Sequence, residues 1–157
     1  MTTLRMDNVL IVVDDLKAAI AFFAELGMEV EGEATVEGQS VDRLIGLDGV
    51  RADLVSMRTP DGHGRIELDK FHTPPAVRAE PADAPVNALG IRRIMFDVDD
   101  IDDVVARLRT HGAELVGELV QYEDSFRLCY VRSPEGIIVG LAEKINTDRT
   151  QGPSQHL

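Results

Sequence analysis

A chain of 157 residues that is 44% hydrophobic is long enough to bury its own core, and its single cysteine, Cys129, rules out an internal disulfide. A formal net charge of −12 excludes an extended nucleic-acid interface, which needs a basic face against the phosphates. Met1-Thr2-Thr3-Leu4-Arg5 lacks a signal pattern and no apolar run nears the ~18 residues of a membrane span, so a cytoplasmic protein without membrane contact is expected.

In chain order, Asn8 to Val13 predicts a strand, β-branched and apolar, with Val9, Ile11 and Val13 on one face and Asn8, Leu10 and Val12 on the other. Asp14-Asp15 supplies a helix cap, Leu16, Ile20 and Phe23 form a helical stripe that Ala19 fills, and Gly27 ends it in the left-handed conformation that glycine adopts cheaply. The segment Met28 to Glu33 leads into a second strand, and Gly38 with Gly46-Leu47-Asp48-Gly49 signals turns. Ala52 to Met57 and Arg65 to Phe71 predict a hairpin around Thr59-Pro60-Asp61-Gly62-His63-Gly64. Thr73 to Leu89 holds four of the seven prolines and no periodicity, which predicts a surface linker over 73–89.

The opening then repeats. At an offset of 85 residues Asn8 falls on Arg93, Asp14-Asp15 on Asp99-Asp100, Leu16 on Ile101, Phe23 on Leu108 and Gly27 on Gly112. Ile94, Phe96 and Val98 should face the second helix, whose stripe is Ile101, Val104, Val105 and Leu108. Strands at Glu114 to Val120, Phe126 to Arg132 and Ile137 to Lys144 complete the copy, with Arg132-Ser133-Pro134-Glu135-Gly136 mirroring Arg58-Thr59-Pro60-Asp61-Gly62. Two copies point to a duplicated βαβββ module in an α+β protein, the first over 1–72 and the second over 90–145, with a flexible polar tail over 146–157.

The doubled strand-Asp-Asp-Leu-helix opening, the Ile66-Glu67-Leu68 strand and the closing Ser133-Pro134-Glu135-Gly136 turn resemble the vicinal oxygen chelate superfamily, which includes glyoxalase I, bleomycin-resistance proteins, extradiol dioxygenases and methylmalonyl-CoA epimerase. The resemblance covers roughly Leu4 to Ile145 and implies paired modules that curl into a cleft, often completed in a homodimer. It also implies four cleft positions that hold a metal in metal-using members, and here they fall on Asn8, Glu67, Arg93 and Gly140. Only Glu67 is a usual ligand. Arg93 brings positive charge and no lone pair, and Gly140 brings no side chain. The expectation is therefore a chain without a metal cofactor, in which Glu67 and Arg93 pair across the cleft, either only to hold the two modules together or to orient a ligand, or, in an enzyme, to act as base and oxyanion partner.

Asp69 and Phe71 share the face of Glu67 by period two, as Met95 shares that of Arg93, so these three join the candidate lining. Tyr122 and Glu123 are read as a loop that overhangs the cleft and could touch a ligand. His63, His72 and Glu67 form a conceivable but disfavoured alternative metal site, since both histidines lie outside the cleft strands. Cys129, mid-strand with no cation or histidine beside it, reads as an inert thiol. Two functions remain open: metal-independent binding of a small organic molecule, cationic ones included, or a lyase, isomerase or dioxygenase. Zinc, nickel, iron or manganese would belong to the second.

Overall fold

A computed structural model describes residues 2–145, and the expected tail lies outside these. The elements are β1 (Val9–Val12), α1 (Leu16–Glu25), β2 (Glu29–Glu37), α2 (Gln39–Ile45), β3 (Arg51–Arg58), β4 (Arg65–Thr73), β5 (Ile94–Val98), α3 (Ile101–Arg109), β6 (Glu114–Leu115), β7 (Val120–Tyr122), β8 (Phe126–Arg132) and β9 (Ile138–Lys144). They fall into two compact units, divided between Glu80 and Pro81.

In the first unit the strand order is β1-β4-β3-β2, with β1 parallel to β4 and the other pairs antiparallel. α1 begins where Asp15 accepts a hydrogen bond from the Ala18 amide at 3.0 Å. Its buried residues are Ala19, Phe22 and Phe23, flanked by half-buried Leu16 and Ile20. They pack with Val55, Met57, Ile66 and Leu68, all 3% exposed or less, so the inward face of β3 and β4 is fixed as apolar. β2 is an edge strand carrying Glu29, Glu31, Glu33 and Glu37, charges that discourage edge pairing with another chain.

α2 stands where the sequence suggested only turns. Gly38 and Gly46 bracket it with φ of 111° and 84°; Val41, Leu44 and Ile45 recur on it at helical spacing, yet none of its residues is buried. Asp42 on this helix accepts from the Gly49 and Val50 amides at 2.9 and 2.8 Å, which ties it to the start of β3.

The second unit repeats the plan, in the order β5-β9-β8-β6 with β7 also on β8 and β5 parallel to β9. Asp100 caps α3 from the Asp103 amide at 3.1 Å, and Ile101, Val104, Val105 and Leu108 are its buried stripe, as the repeat predicted. They face Cys129, Val131, Val139 and Leu141, none more than 3% exposed. The expected strand Glu114 to Val120 is broken instead into β6 and β7, with Gly117, which has no side chain to pack, in the gap.

The expected linker is more constrained than a plain spacer. Thr73 ends β4 and its hydroxyl donates to the Gly49 carbonyl at 2.8 Å. Within the second unit Arg132 Nη1 donates to the Ala82 carbonyl at 3.0 Å, and Ala84 is buried. Gly136, at φ 97°, lies so close to Ala82 that an added Cβ would meet its carbonyl oxygen at 2.5 Å. No helix among the described residues is long and apolar enough to cross a membrane.

Candidate functional site

In each unit the sheet face turned away from the helix carries the candidate residues. On β4 the odd positions Glu67, Asp69 and Phe71 alternate with core-facing Ile66 and Leu68. Across the strands Glu67 is opposite Leu10 and Ser56, and Asp69 is opposite Val12 and Leu54. Glu67 and Phe71 are half-buried, and Asp69 is 6% exposed.

Asp69 is the unusual residue. Burial pushes its carboxyl up to about 8, and a hydrogen bond to Glu67 and the charge of that neighbour act in the same direction. Two carboxyls two residues apart on one strand face are roughly 7 Å apart at their Cα atoms, close enough for their ends to share a proton. At neutral pH Asp69 therefore keeps its proton. Its Oδ1 is buried without a hydrogen-bond partner among the described residues. Asn8, exposed, donates to Asp7 at 2.7 Å.

In the second unit Met95, Gly140 and Tyr130 are in register across β5, β9 and β8. Just before β5, Arg93 Nη1 donates to Met95 Sδ at 2.8 Å, and its guanidinium carbon lies 5.4 Å from the centroid of the Tyr130 ring, a cation–π arrangement. A Cβ at position 140 would collide with Met95 Sδ and touch Tyr130 at 3.4 Å. Beside this group Phe126, Leu128 and Ala142 form a buried cluster against which Met95 and Tyr122 pack.

The structure thus brings together Glu67 with Asp69, and Arg93 with Met95 and Gly140. Glu67 belongs to the first unit and Arg93 to the second. Tyr122 is corrected: it ends β7 opposite Phe126, half-buried against the apolar cluster, and is not part of an overhanging loop. Glu123 is the turn residue of the β7–β8 hairpin, exposed at φ 52°, with its carbonyl accepting from the Gln121 side chain at 3.3 Å. The sequence also puts Glu123 in the connection between these strands; the difference is that pairing with β8 extends through Tyr122. Tyr130 was missed; its period-two spacing from Leu128 and Phe126 was the available signal.

The alternative histidine site does not form around Glu67. His72 is five residues from Glu67, on the opposite face of β4, where its Nε2 meets Asp53 at 2.8 Å while Thr35 donates to the other oxygen of Asp53 at 2.7 Å. Together these contacts hold the Asp53 carboxyl below its usual range, His72 contributing most. Among the described residues no group of three or more His, Cys, Asp or Glu is placed to hold a metal ion. Cys129 is buried, and desolvation pushes its thiol up to about 11, which suits an inert core residue.

A family model described as the Glyoxalase/Bleomycin resistance protein/Dioxygenase superfamily matches residues 5–141, and the chain belongs to that superfamily. It is similar to a glyoxalase family protein from Bacillus cereus, with 56% identity, a TM-score of 0.88 and coverage of 93% of this chain and 97% of that one. It is 27% identical to the Escherichia coli protein YaeR over 141 residues, which are 89% of this chain and 96% of YaeR. The fold is shared with the trypanothione-dependent glyoxalase I of Leishmania major, at 23% identity and a TM-score of 0.59, covering 90% and 87% of the two chains.

Proposed function

We propose that this member of the superfamily binds a small organic molecule on these sheet faces without a resident metal. The observation that carries the reading is the donor chemistry at the four positions where metal-using relatives are expected to hold their ion. They present an amide at Asn8, a carboxylate at Glu67, a guanidinium at Arg93 and no side chain at Gly140. A guanidinium has no lone pair to donate. A divalent ion about 4 Å from it would meet a repulsion on the order of 8 kcal/mol at an effective dielectric near 20. That donor set does not fit a divalent ion, so no step is routed through one.

The net charge of −12 and the Glu67–Asp69 pair favour cationic over anionic ligands for the first unit. The protein is taken as a cytoplasmic homodimer, and light scattering on a sizing column tests the dimer. Elemental analysis of protein purified without chelator is the primary test. Less than a tenth of an equivalent of zinc, nickel, iron or manganese is expected, and a stoichiometric amount sinks the reading. A thermal-shift screen with cationic glycopeptides and planar aromatic cations should then return at least one stabilising compound.

One observation favours a second reading, an enzyme of the lyase, isomerase or dioxygenase type. A carboxyl that keeps its proton at neutral pH beside an acceptor carboxylate is suited to proton transfer. Turnover of a small oxygenated substrate that Glu67→Gln abolishes, with Tm unchanged, would favour the enzyme over the binder.

A further inference from the structure

We infer that Met95 is a positioning residue: its thioether fills the space at position 140 and holds the Arg93 guanidinium against the Tyr130 ring, so that Met95, Gly140, Arg93 and Tyr130 form one interlocked group. The inference deepens the metal-independent reading and rests on it for its functional meaning, but its geometry lies wholly within the second unit. Met95 and Gly140 are direct register partners on parallel strands, and Gly140 in turn pairs with Tyr130. Side chains at all three positions stand on the same face, so they compete for one volume.

Position 140 is a glycine for want of space and not for backbone freedom. It has no positive φ, unlike Gly27, Gly112 and Gly136. What a Cβ would meet there is the sulfur of Met95, with the Met95 methyl and Tyr130 Cε1 next, at 3.5 and 3.4 Å. A methionine on a free surface could swing aside at little cost. Here the sulfur accepts from Arg93 Nη1 at 2.8 Å, and Met95 also packs on the Phe126–Leu128–Ala142 cluster. Moving it breaks both contacts. The consequence is that a ligand-bearing side chain cannot be accommodated at 140 while Met95 is present, and that the Arg93 guanidinium is held at the Tyr130 ring.

A double-mutant cycle in the full chain tests the interlock. Gly140→Ala alone should lower Tm by several degrees. In a Met95→Ala background the same change should cost less than half as much, because the volume is free. Arginine-selective nitrogen NMR supplies a readout that packing alone does not move. In the parent, and in Met95→Leu only weakly, Arg93 Nε–H should carry a ring-current shift that Tyr130→Leu abolishes. Met95→Ala should abolish it as Tyr130→Leu does. Additive Tm changes, or an Arg93 signal unchanged in Met95→Ala, overturn the inference. If Gly140→Ala does not fold while Gly140→Ala/Met95→Ala does, the interlock stands; if neither folds, the NMR comparison on the Met95 variants decides. Stoichiometric metal in the parent protein would instead sink the functional reading while leaving the interlock to be judged by the cycle.

Discussion

The Asp69 carboxyl pays a solvation cost on folding that an exposed aspartate does not, and this makes stability depend on pH in a set direction. Its pKa rises from the usual 3.8 to about 8 in the folded protein. Between those values the unfolded chain releases the proton and the folded chain keeps it. A raised folded value means that this group's contribution is fully present below pH 3.8 and is lost as pH rises through 8. The slope approaches about 1.4 kcal/mol per pH unit for one proton. Asp69→Asn removes the titration while keeping the shape. It should therefore gain on the parent as pH rises from 5 to 8, as read by denaturant midpoints at each pH. Parallel curves would show that the proton on Asp69 is not linked to folding. Cys129 behaves differently at the same scale: buried, with its thiol pushed up to about 11, it should resist a thiol reagent at pH 8 until denaturant is added.

The two helices at the repeat are capped alike but supported differently. Asp15 is the side-chain cap of α1, which has no acidic residue in its first turn. α3 has Asp100 as its cap, Asp102 and Asp103 in its first turn, and Glu143 accepting from the Ile101 amide at 2.7 Å. Losing one cap costs about 1 kcal/mol, or roughly 3 °C in a chain of this size. Asp15→Ala should reach that loss in a thermal melt, and Asp100→Ala should fall short of it because other acceptors and charges remain. Equal losses would mean that the acidic first turn of α3 adds nothing. These caps, the strands before them and the glycines after them were readable at an offset of 85 residues, because local chemistry fixes them. α2 is harder to read: Val41, Leu44 and Ile45 keep helical spacing, but the helix is only seven residues long and lies between glycines that read as turns. At the candidate site, strand alternation was enough to place Glu67 and Asp69 on one face. The burial of Asp69, the seat of Tyr122 against Phe126 and the collision of Met95 with a side chain at 140 are products of packing between strands distant in sequence, and one strand's pattern does not carry them.

For the whole molecule the sharpest expectation concerns divalent metals, and the acidic surface dictates how it must be tested. With 28 acidic residues against 16 basic ones, the chain will gather cations weakly at millimolar concentration whether or not a specific site exists. The metal must therefore be kept low and ionic strength near physiological, where surface attraction is screened within about 8 Å. A specific site at about 100 times its Kd adds roughly 2.7 kcal/mol to the folded state, or on the order of 5–10 °C in Tm for a chain of this length. Nickel, zinc, iron(II) and manganese at tens of micromolar would reach that level for any site of submicromolar affinity. Removal of metal by a chelator should leave Tm within about 1 °C of its starting value, well below what loss of such a site produces. Adding the four metals back should do the same. A rise of several degrees with one of them, abolished by Glu67→Gln, would restore an ion to the first unit's sheet face and remove the basis for a metal-independent binder. A flat response leaves the metal-independent reading standing, with Glu67 on β4 and Arg93 just before β5 as the charged candidates to test next.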